Sequence, residues 1–347
     1  MSDRERFSAQ ELLIVMSRYD IGGIEAIKEY HRGSRKAPKL LITAEKGEFL
    51  LKRRAKGKDD PFKVAYSHAL QLYLAEKQFP LPHLIGTRTD NNSMFQHDAA
   101  VYELFEYIRG NPYDNSLETT FDSGKILALF HKLLRDYKPE FETAEGSYHN
   151  ARSVNLGLDQ LPGTLDRTQS SHDTAARKAS VTTNYLRQIY QEAAEKVEKL
   201  GMGQWPAQIL HCDWHPGNML FRNKKVVAVI DYDAARLGQR MIDIANGALQ
   251  FSILGGTDDP ATWPDYPDET RYKRFIRGYD EVDVVSVQEL QTIPWLMIEA
   301  MIAESVLPIA ATGFFGRIDG YGFLQMIERK VRWVYRHANE LVAAVAQ

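Results

Sequence analysis

Three oxygen-bearing side chains are spaced in a way that suits phosphoryl transfer. Asp213 and Asn218 share the polar run His211-Cys212-Asp213-Trp214-His215-Pro216-Gly217-Asn218, and Asp231 ends the apolar run Val226 to Ile230. Moving a phosphoryl group from a nucleotide to a hydroxyl needs one carboxylate to accept or orient the hydroxyl proton. It also needs an amide oxygen and a second carboxylate to hold magnesium against the phosphates. Magnesium takes hard oxygen ligands and usually only one or two protein carboxylates, so one Asn and one Asp suit it. On this reading Asp213 is the base, and Asn218 and Asp231 are metal ligands. A positioned general base is worth about 10²–10⁴ in rate.

These groups need a hairpin with a loop before it. Ile209-Leu210 is apolar, the polar loop follows, and Met219-Leu220-Phe221 is a short strand. The chain turns through Arg222-Asn223-Lys224-Lys225, and the run from Val226 returns to deliver Asp231. His211 is expected to brace the loop by hydrogen bonding. His211, Cys212, Asp213 and His215 could also be taken for a zinc cluster. Cys212 is the only cysteine, however, and structural zinc sites draw on more thiolates at paired spacings.

The stretch resembles the catalytic motif of the aminoglycoside phosphotransferase and choline kinase superfamily, an H-x-D-x-x-x-x-N loop followed by an I-D-[WFY]-[ED] strand end. His211, Asp213, Pro216, Asn218, Ile230, Asp231 and Asp233 fall on that pattern. The resemblance implies an α+β, two-lobed, protein-kinase-like fold. Residues 1–107 would form a nucleotide-binding lobe with an antiparallel sheet and a helix. Residues 108–347 would form a mostly helical lobe for catalysis and acceptor binding. The implied cofactors are ATP and Mg2+, and the implied partner is a small-molecule hydroxyl acceptor. Lys52, on the strand Phe49 to Lys52, would reach the phosphates, with Arg53 and Arg54 less favoured because they lie past the strand pattern. The loop His31 to Lys36, with Ser34, lies where such a sheet covers the phosphates. Phe105, Glu106, Tyr107 and Ile108 would form the hinge that hydrogen-bonds adenine. Asp243 would tie its helix to the catalytic loop, by N-capping or by taking loop N–H groups.

One element departs from the family pattern. Its helix usually carries a glutamate that pairs with the strand lysine. Sixteen residues after Lys52 stands His68, and Glu76 lies two turns further on. Either His68 or another group supports the lysine, or a shifted helix brings Glu76 in.

Composition adds broad limits. With 347 residues, 44% hydrophobic and 26% charged, the chain has an ordinary globular profile. A formal net charge of −3 gives no global attraction to nucleic acid or an anionic membrane. A single cysteine fits a reducing cytoplasm, and no signal peptide is apparent in MSDRERFSAQELL. Ile293 to Phe315 is the most apolar long stretch, but it holds Glu299, Glu304 and two prolines and is read as a buried or amphipathic helix rather than a membrane span. A homodimer is left open.

The coarse pattern places a weak strand at Ile24 to Tyr30, a hairpin over Leu40 to Lys52, and a helix from Asp60-Pro61 to Lys77. Strands follow around Ile85 to Thr87 and Ala99 to Phe105, separated by a turn at Asp90 to Ser93. Helices are expected at Ser123 to Tyr137 and Thr182 to Leu200, with a long polar loop or insertion, Lys138 to Ser180, between them. Helices at Arg271 to Tyr279, Ile293 to Ala310 and Tyr321 to Val345 close the chain. Thr257 to Glu269 interleaves Asp258, Asp259, Asp265, Asp268 and Glu269 with Trp263 and Tyr266, a composition able to receive a cationic amine. Acceptors consistent with the resemblance are an aminoglycoside or other aminocyclitol, choline or ethanolamine, homoserine, or a sugar. A serine/threonine protein kinase and a nucleotide-binding pseudokinase interaction module are the alternatives.

Overall fold

The computed structural model describes residues 4–168, 172–257 and 259–346. In chain order the elements are α1 (Ala9–Met16), β1 (Ile24–Glu29), β2 (Lys39–Ala44), β3 (Gly47–Arg53), α2 (Pro61–Glu76), β4 (Phe95–His97) and β5 (Ala100–Glu106). Then come α3 (Leu117–Leu134), α4 (Arg152–Thr168), α5 (His172–Lys199), β6 (Ala207–Leu210), β7 (Met219–Arg222), β8 (Lys225–Val229) and β9 (Arg236–Gln239). The chain ends with α6 (Met241–Ser252), α7 (Glu269–Asp280), α8 (Val287–Leu290), α9 (Ile293–Thr312), α10 (Gly320–Arg336) and α11 (Ala338–Ala343). The fold is therefore α+β, an N-terminal antiparallel sheet followed by a mostly helical part.

The chain resolves into two compact units. The first holds Met1–Pro112, Lys138–Thr143 and Asn218–Asp233, and the second holds the rest. The first unit thus runs five residues past the 107/108 boundary expected from the sequence and takes in the β7–β8 hairpin as well.

In the first unit five strands form one antiparallel sheet in the order β1-β2-β3-β5-β4. Leu40, Ile42, Phe49, Leu51, Tyr102 and Leu104 point from three neighbouring strands into one core with Val15, Met16 and Tyr19 from the α1 region. The period-2 alternation of β2 and β3 fixes this, since a one-residue slip would turn those side chains to water. Asp60 caps α2 by accepting from the Phe62 N–H at 2.9 Å, with Pro61 at the first helical position. Asn223 and Lys224, both at positive φ, make the two-residue turn of the β7–β8 hairpin. Ile85–Thr87 does not form the expected strand. It meets β5 through an isolated Leu84–Phe105 bridge and the Ile85 N–H to Leu104 carbonyl bond, and the hairpin partner of β5 is β4. The turn expected at Asp90 to Ser93 is present, the Thr87 N–H bonding to the Asn92 carbonyl at 2.9 Å with Asn91 at positive φ, and a second turn at Asp98–Ala99, both at positive φ, leads into β5.

In the second unit α9 is the central helix, with Leu296, Met297, Ile298, Ala300, Ile302, Val306 and Ile309 all buried. Val287–Thr312 is long and apolar enough to cross a membrane by composition, but most of it lies inside the protein. Lys138 to Ser180 is not a structureless loop. Most of it is α4 and the start of α5, and α4 buries Val154, Leu158, Leu161 and Leu165 along one face. The helix expected from Ser123 starts earlier, at Leu117, where the Ser116 hydroxyl caps it. Tyr321 to Val345 is two helices broken at His337. Helices α3 and α7 approach closely through two glycines. A Cβ on Gly124 would lie 2.1 Å from the Phe275 carbonyl oxygen, and one on Gly278 would lie 2.0 Å from the Phe121 carbonyl oxygen.

Candidate active site

The first unit places Lys52 in the middle of the sheet. Arg53, next along the strand, pairs with Glu11 at 2.7 Å and Glu5 at 2.9 Å, which ties β3 to the N-terminal helix. Arg54 is buried and committed to Glu103 at 2.7 Å and to both oxygens of Asp233 at 2.9 and 3.0 Å. Lys52 keeps a part-exposed side chain, 22% accessible, with its ammonium 3.3 Å from Glu103.

Glu103 is what the sequence reading missed. It faces Lys52 directly in the β3–β5 register and is fully buried. Burial alone would raise its pKa, but Lys52, the His68 hydrogen bond and Arg54 outweigh burial and hold it far below the carboxylate range. His68 is buried rather than a surface group. Its Nε2 lies 2.7 Å from Glu103 and its Nδ1 2.9 Å from the Ser93 hydroxyl. Glu76 is exposed at the end of α2. The acid beside the lysine therefore comes from the neighbouring strand, and the helix contributes a histidine that holds it. A legible signal existed. Glu103 sits inside Val101-Tyr102-Glu103-Leu104, and a charge in an otherwise apolar central strand is buried only when paired.

A second lysine was also missed. Lys39 of β2 stands opposite Lys52 in the β2–β3 register, so two ammonium groups share one face of the sheet. Like charges in that position repel. Burial first, then Lys52, push the Lys39 pKa down, while Asp231 pulls it up. Lys39 Nζ also donates to the Arg32 carbonyl at 3.2 Å, pinning the loop that holds Ser34. Ser34 itself is exposed, its hydroxyl accepting from the Lys36 N–H at 3.2 Å.

The β7–β8 hairpin sets the next two residues side by side. Met219 pairs with Val229, and the Asn218 carbonyl accepts the Ile230 N–H at 3.0 Å. The Asn218 side chain and the exposed Asp231 carboxylate thus lie at one end of one hairpin, with Asp231 in a left-handed conformation at φ 68°. Among the residues expected to form the hinge, the Glu106 N–H bonds to the His83 carbonyl at 2.8 Å and the Tyr107 N–H to the Glu48 carbonyl at 2.9 Å. Phe105, Tyr107 and Ile108 are half-buried.

The second unit carries Asp213. Buried Asp243 accepts the His211 N–H at 2.7 Å, the Cys212 N–H at 2.8 Å and His131 Nε2 at 3.1 Å. It holds Cys212 at φ 59°, a left-handed conformation that costs about 1–2 kcal/mol for a residue with a Cβ. His131 Nδ1 meets the Tyr279 hydroxyl at 2.8 Å. Asp243 lies in the first turn of α6 but does not cap it, so its contact with the helix's surroundings is through loop N–H groups. His211 packs edge-on against Trp214 and Phe130, ring centroids 5.3 and 5.9 Å away. Asp213 is part-exposed, and its Oδ1 lies 3.5 Å from His215 Nε2, whose other nitrogen accepts the Gly217 N–H at 2.9 Å. Burial, then the charge of Asp243, push the Cys212 thiol well up, so it stays protonated at neutral pH.

Three carboxylates of the acidic loop 257–269 are engaged within the protein. Asp265 pairs with Arg329 at 2.8 Å, Asp268 caps α7 and pairs with Arg271 at 2.9 Å, and Asp259 caps a short helical turn. Asp258 lies outside the described residues.

Comparison with known proteins gives three findings. A family model described as "Phosphotransferase enzyme family" matches residues 27–286. A homoserine kinase of Rhodospirillum rubrum is 24% identical over 302 residues, covering 83% of this chain and 81% of its own. Two solved structures share the fold. An aminoglycoside phosphotransferase from Alicyclobacillus acidocaldarius has a TM-score of 0.68 at 16% identity, over 99% of this chain and 97% of its own. An amicoumacin kinase in complex with AMP-PNP, Ca2+ and its ligand has a TM-score of 0.65 at 13% identity, over 96% and 94%.

Proposed function

The chain belongs to the phosphotransferase enzyme family, and from that premise we propose that it moves the γ-phosphoryl group of ATP, with Mg2+, to a hydroxyl of a small molecule. Asp213 takes the proton of the acceptor hydroxyl as its oxygen bonds the γ-phosphorus. ADP leaves with the electrons of the broken bond to the β–γ bridging oxygen. Asn218 and Asp231 hold the metal, and Lys52, oriented by Glu103, binds the phosphates. Ser34 and its loop cover the phosphates, and the backbone from Phe105 to Ile108 binds adenine. Asp243 and His211 hold the shape of the Asp213 loop.

The observation that carries this reading is the hairpin rung that sets Asn218 beside Ile230 and Asp231. An amide oxygen and one carboxylate are the hard donors magnesium accepts, with its remaining positions left to phosphate oxygens and water. Among the described residues no group of three or more His, Cys, Asp or Glu stands ready to hold a metal alone, which is consistent with a site that phosphate completes. Bound magnesium would neutralise charge on the transferring phosphoryl group. The paired Lys39 and Lys52 ammonium groups also favour a polyanion, which would relieve their repulsion. We assign nucleotide binding to residues 1–107, together with the metal-holding hairpin of the same compact unit, and acceptor binding to residues in 108–347. The acceptor class is an amine-bearing or sugar alcohol. Homoserine and aminoglycoside acceptors of the relatives both carry amines. The reaction is assigned to the cytoplasm.

Incubating the purified protein with ATP and MgCl2 against a panel of amine and sugar alcohols tests this. ADP and a phosphorylated small molecule are expected, and Asp213→Ala should lower kcat by about 10²–10⁴. Wild-type turnover no faster than that of the variant refutes it.

A further inference from the structure

Beside the Asp213 loop, within the second unit, is a concavity of about 280 Å³ whose wall includes Ser153, Cys212, Arg236, Asn246 and Glu304. We infer that it receives an acceptor of amino-acid size carrying both an ammonium and a carboxylate besides its hydroxyl, the ammonium at Glu304 and the carboxylate at Arg236. This rests on the phosphotransfer reading and deepens it by naming the substrate class.

Two opposite charges line this one wall and both have capacity left. Arg236 spends its Nε on the Ala234 carbonyl at 3.0 Å, and among the described residues no acid pairs with its guanidinium. A planar fork of N–H donors is suited to a carboxylate, which it can hold bidentately. Glu304, on α9, accepts one hydrogen bond from Gln250 Nε2 at 2.7 Å, and no cation pairs with it among the described residues. Its side chain reaches solvent, yet the concave wall encloses it enough that burial, and then the charge of Asp213, push its pKa to about 7. An ammonium placed there would favour the carboxylate form. Asn246 is buried in the same wall, and its side-chain oxygen has no donor among the described residues. A buried acceptor left unsatisfied costs about 1–3 kcal/mol, which an N–H of a bound amine would offset.

Size points the same way. At about 30 Å³ per water, the concavity holds on the order of nine waters. That admits an amino acid bearing a hydroxyl. The like charge of Asp213 raises the Glu304 pKa, so this wall lies within electrostatic reach of the residue assigned as base.

The test uses three matched alcohols. L-Homoserine has ammonium, carboxylate and hydroxyl, 3-aminopropan-1-ol lacks the carboxylate, and 4-hydroxybutanoate lacks the ammonium. Binding is measured by titration calorimetry and turnover with ATP and MgCl2, on wild type, Arg236→Met, Arg236→Lys and Glu304→Gln. In wild type, homoserine should exceed each of the other two in kcat/KM by at least tenfold. Arg236→Met should remove its advantage over the amino alcohol through KM, and Arg236→Lys should restore part of it. Glu304→Gln should remove its advantage over the hydroxy acid. A wild type without preference for the zwitterion, or one that neither binds nor phosphorylates it, overturns the inference. So does a variant that weakens all three alcohols equally. Homoserine binding that is lost in Arg236→Met, with no ADP formed from any acceptor, would keep this site and sink the phosphotransfer reading instead.

Discussion

Replacing Glu103 should separate stability from chemistry at the lysine. In Glu103→Gln the buried carboxylate becomes a neutral amide facing Lys52 at 3.3 Å, Arg54 at 2.7 Å and His68 at 2.7 Å. Removing one partner from a buried ionic cluster costs about 3–5 kcal/mol, because the charges left behind are uncompensated. Asp233 still neutralises part of Arg54 through two bonds, which favours the lower end of that range. With a urea slope of about 2 kcal/mol/M, the unfolding midpoint of the first unit should fall by roughly 1.5–2 M. Lys52→Met is the contrast. It leaves Glu103 bonded to Arg54 and His68, so the midpoint should fall by less than in Glu103→Gln while ATP turnover is lost. The difference should also depend on pH. Glu103 titrates well below its ordinary value of 4.5 in the folded protein. Its stabilisation is therefore fully present above the unfolded value and is lost as pH falls below it toward the folded value. The gap between wild type and Glu103→Gln measured at pH 7 should shrink by pH 3.5. A Lys52→Met variant as unstable as Glu103→Gln, or a gap that persists unchanged at pH 3.5, would refute the account of the cluster.

Asp243→Asn weakens the hold on two loop N–H groups and on His131, so kcat should fall by about tenfold or more with the KM for ATP nearly unchanged; equal loss in both would mean general unfolding instead. Gly278→Ala places a Cβ against the Phe121 backbone at 2.0 Å, which an α3–α7 pair this close can relieve only by moving apart. It should destabilise the second unit by about 1–3 kcal/mol or more, read as a lower chemical-denaturation midpoint. Glu304 has its folded pKa raised from 4.5 to about 7, so the folded state loses stability as pH rises from the first value through the second. Glu304→Gln should gain stability relative to wild type at pH 8 compared with pH 5, and thermal melts at the two pH values give the sign.

Much of the site was legible because its residues lie close in sequence. Turn chemistry at Asn223-Lys224 and the apolar runs on either side locate the β7–β8 hairpin without any tertiary information. Asp243 was assigned its place beside the catalytic loop, and its observed bonds go to the backbone of that loop rather than to the end of its own helix. The α4 helix was hidden by Pro162 and two glycines in a polar stretch. Its four buried apolar residues at 154, 158, 161 and 165 nonetheless keep helical spacing, and that periodicity outweighs the one lost backbone bond.

What escaped was register. Sequence distance to the expected helix glutamate points to His68, and nothing local says that residue 103 lies opposite residue 52, 51 positions apart. Once β3 and β5 pair antiparallel through Leu51 and Leu104, the next rung must join Lys52 to Glu103, because both apolar partners belong to the core face. The same rung on the other side sets Lys39 against Lys52. Hydrophobic alternation that serves only the core thus also lines up two cations and one anion on the opposite face. The acid that orients the lysine can then come from a strand, which frees the helix to supply the histidine that holds the acid.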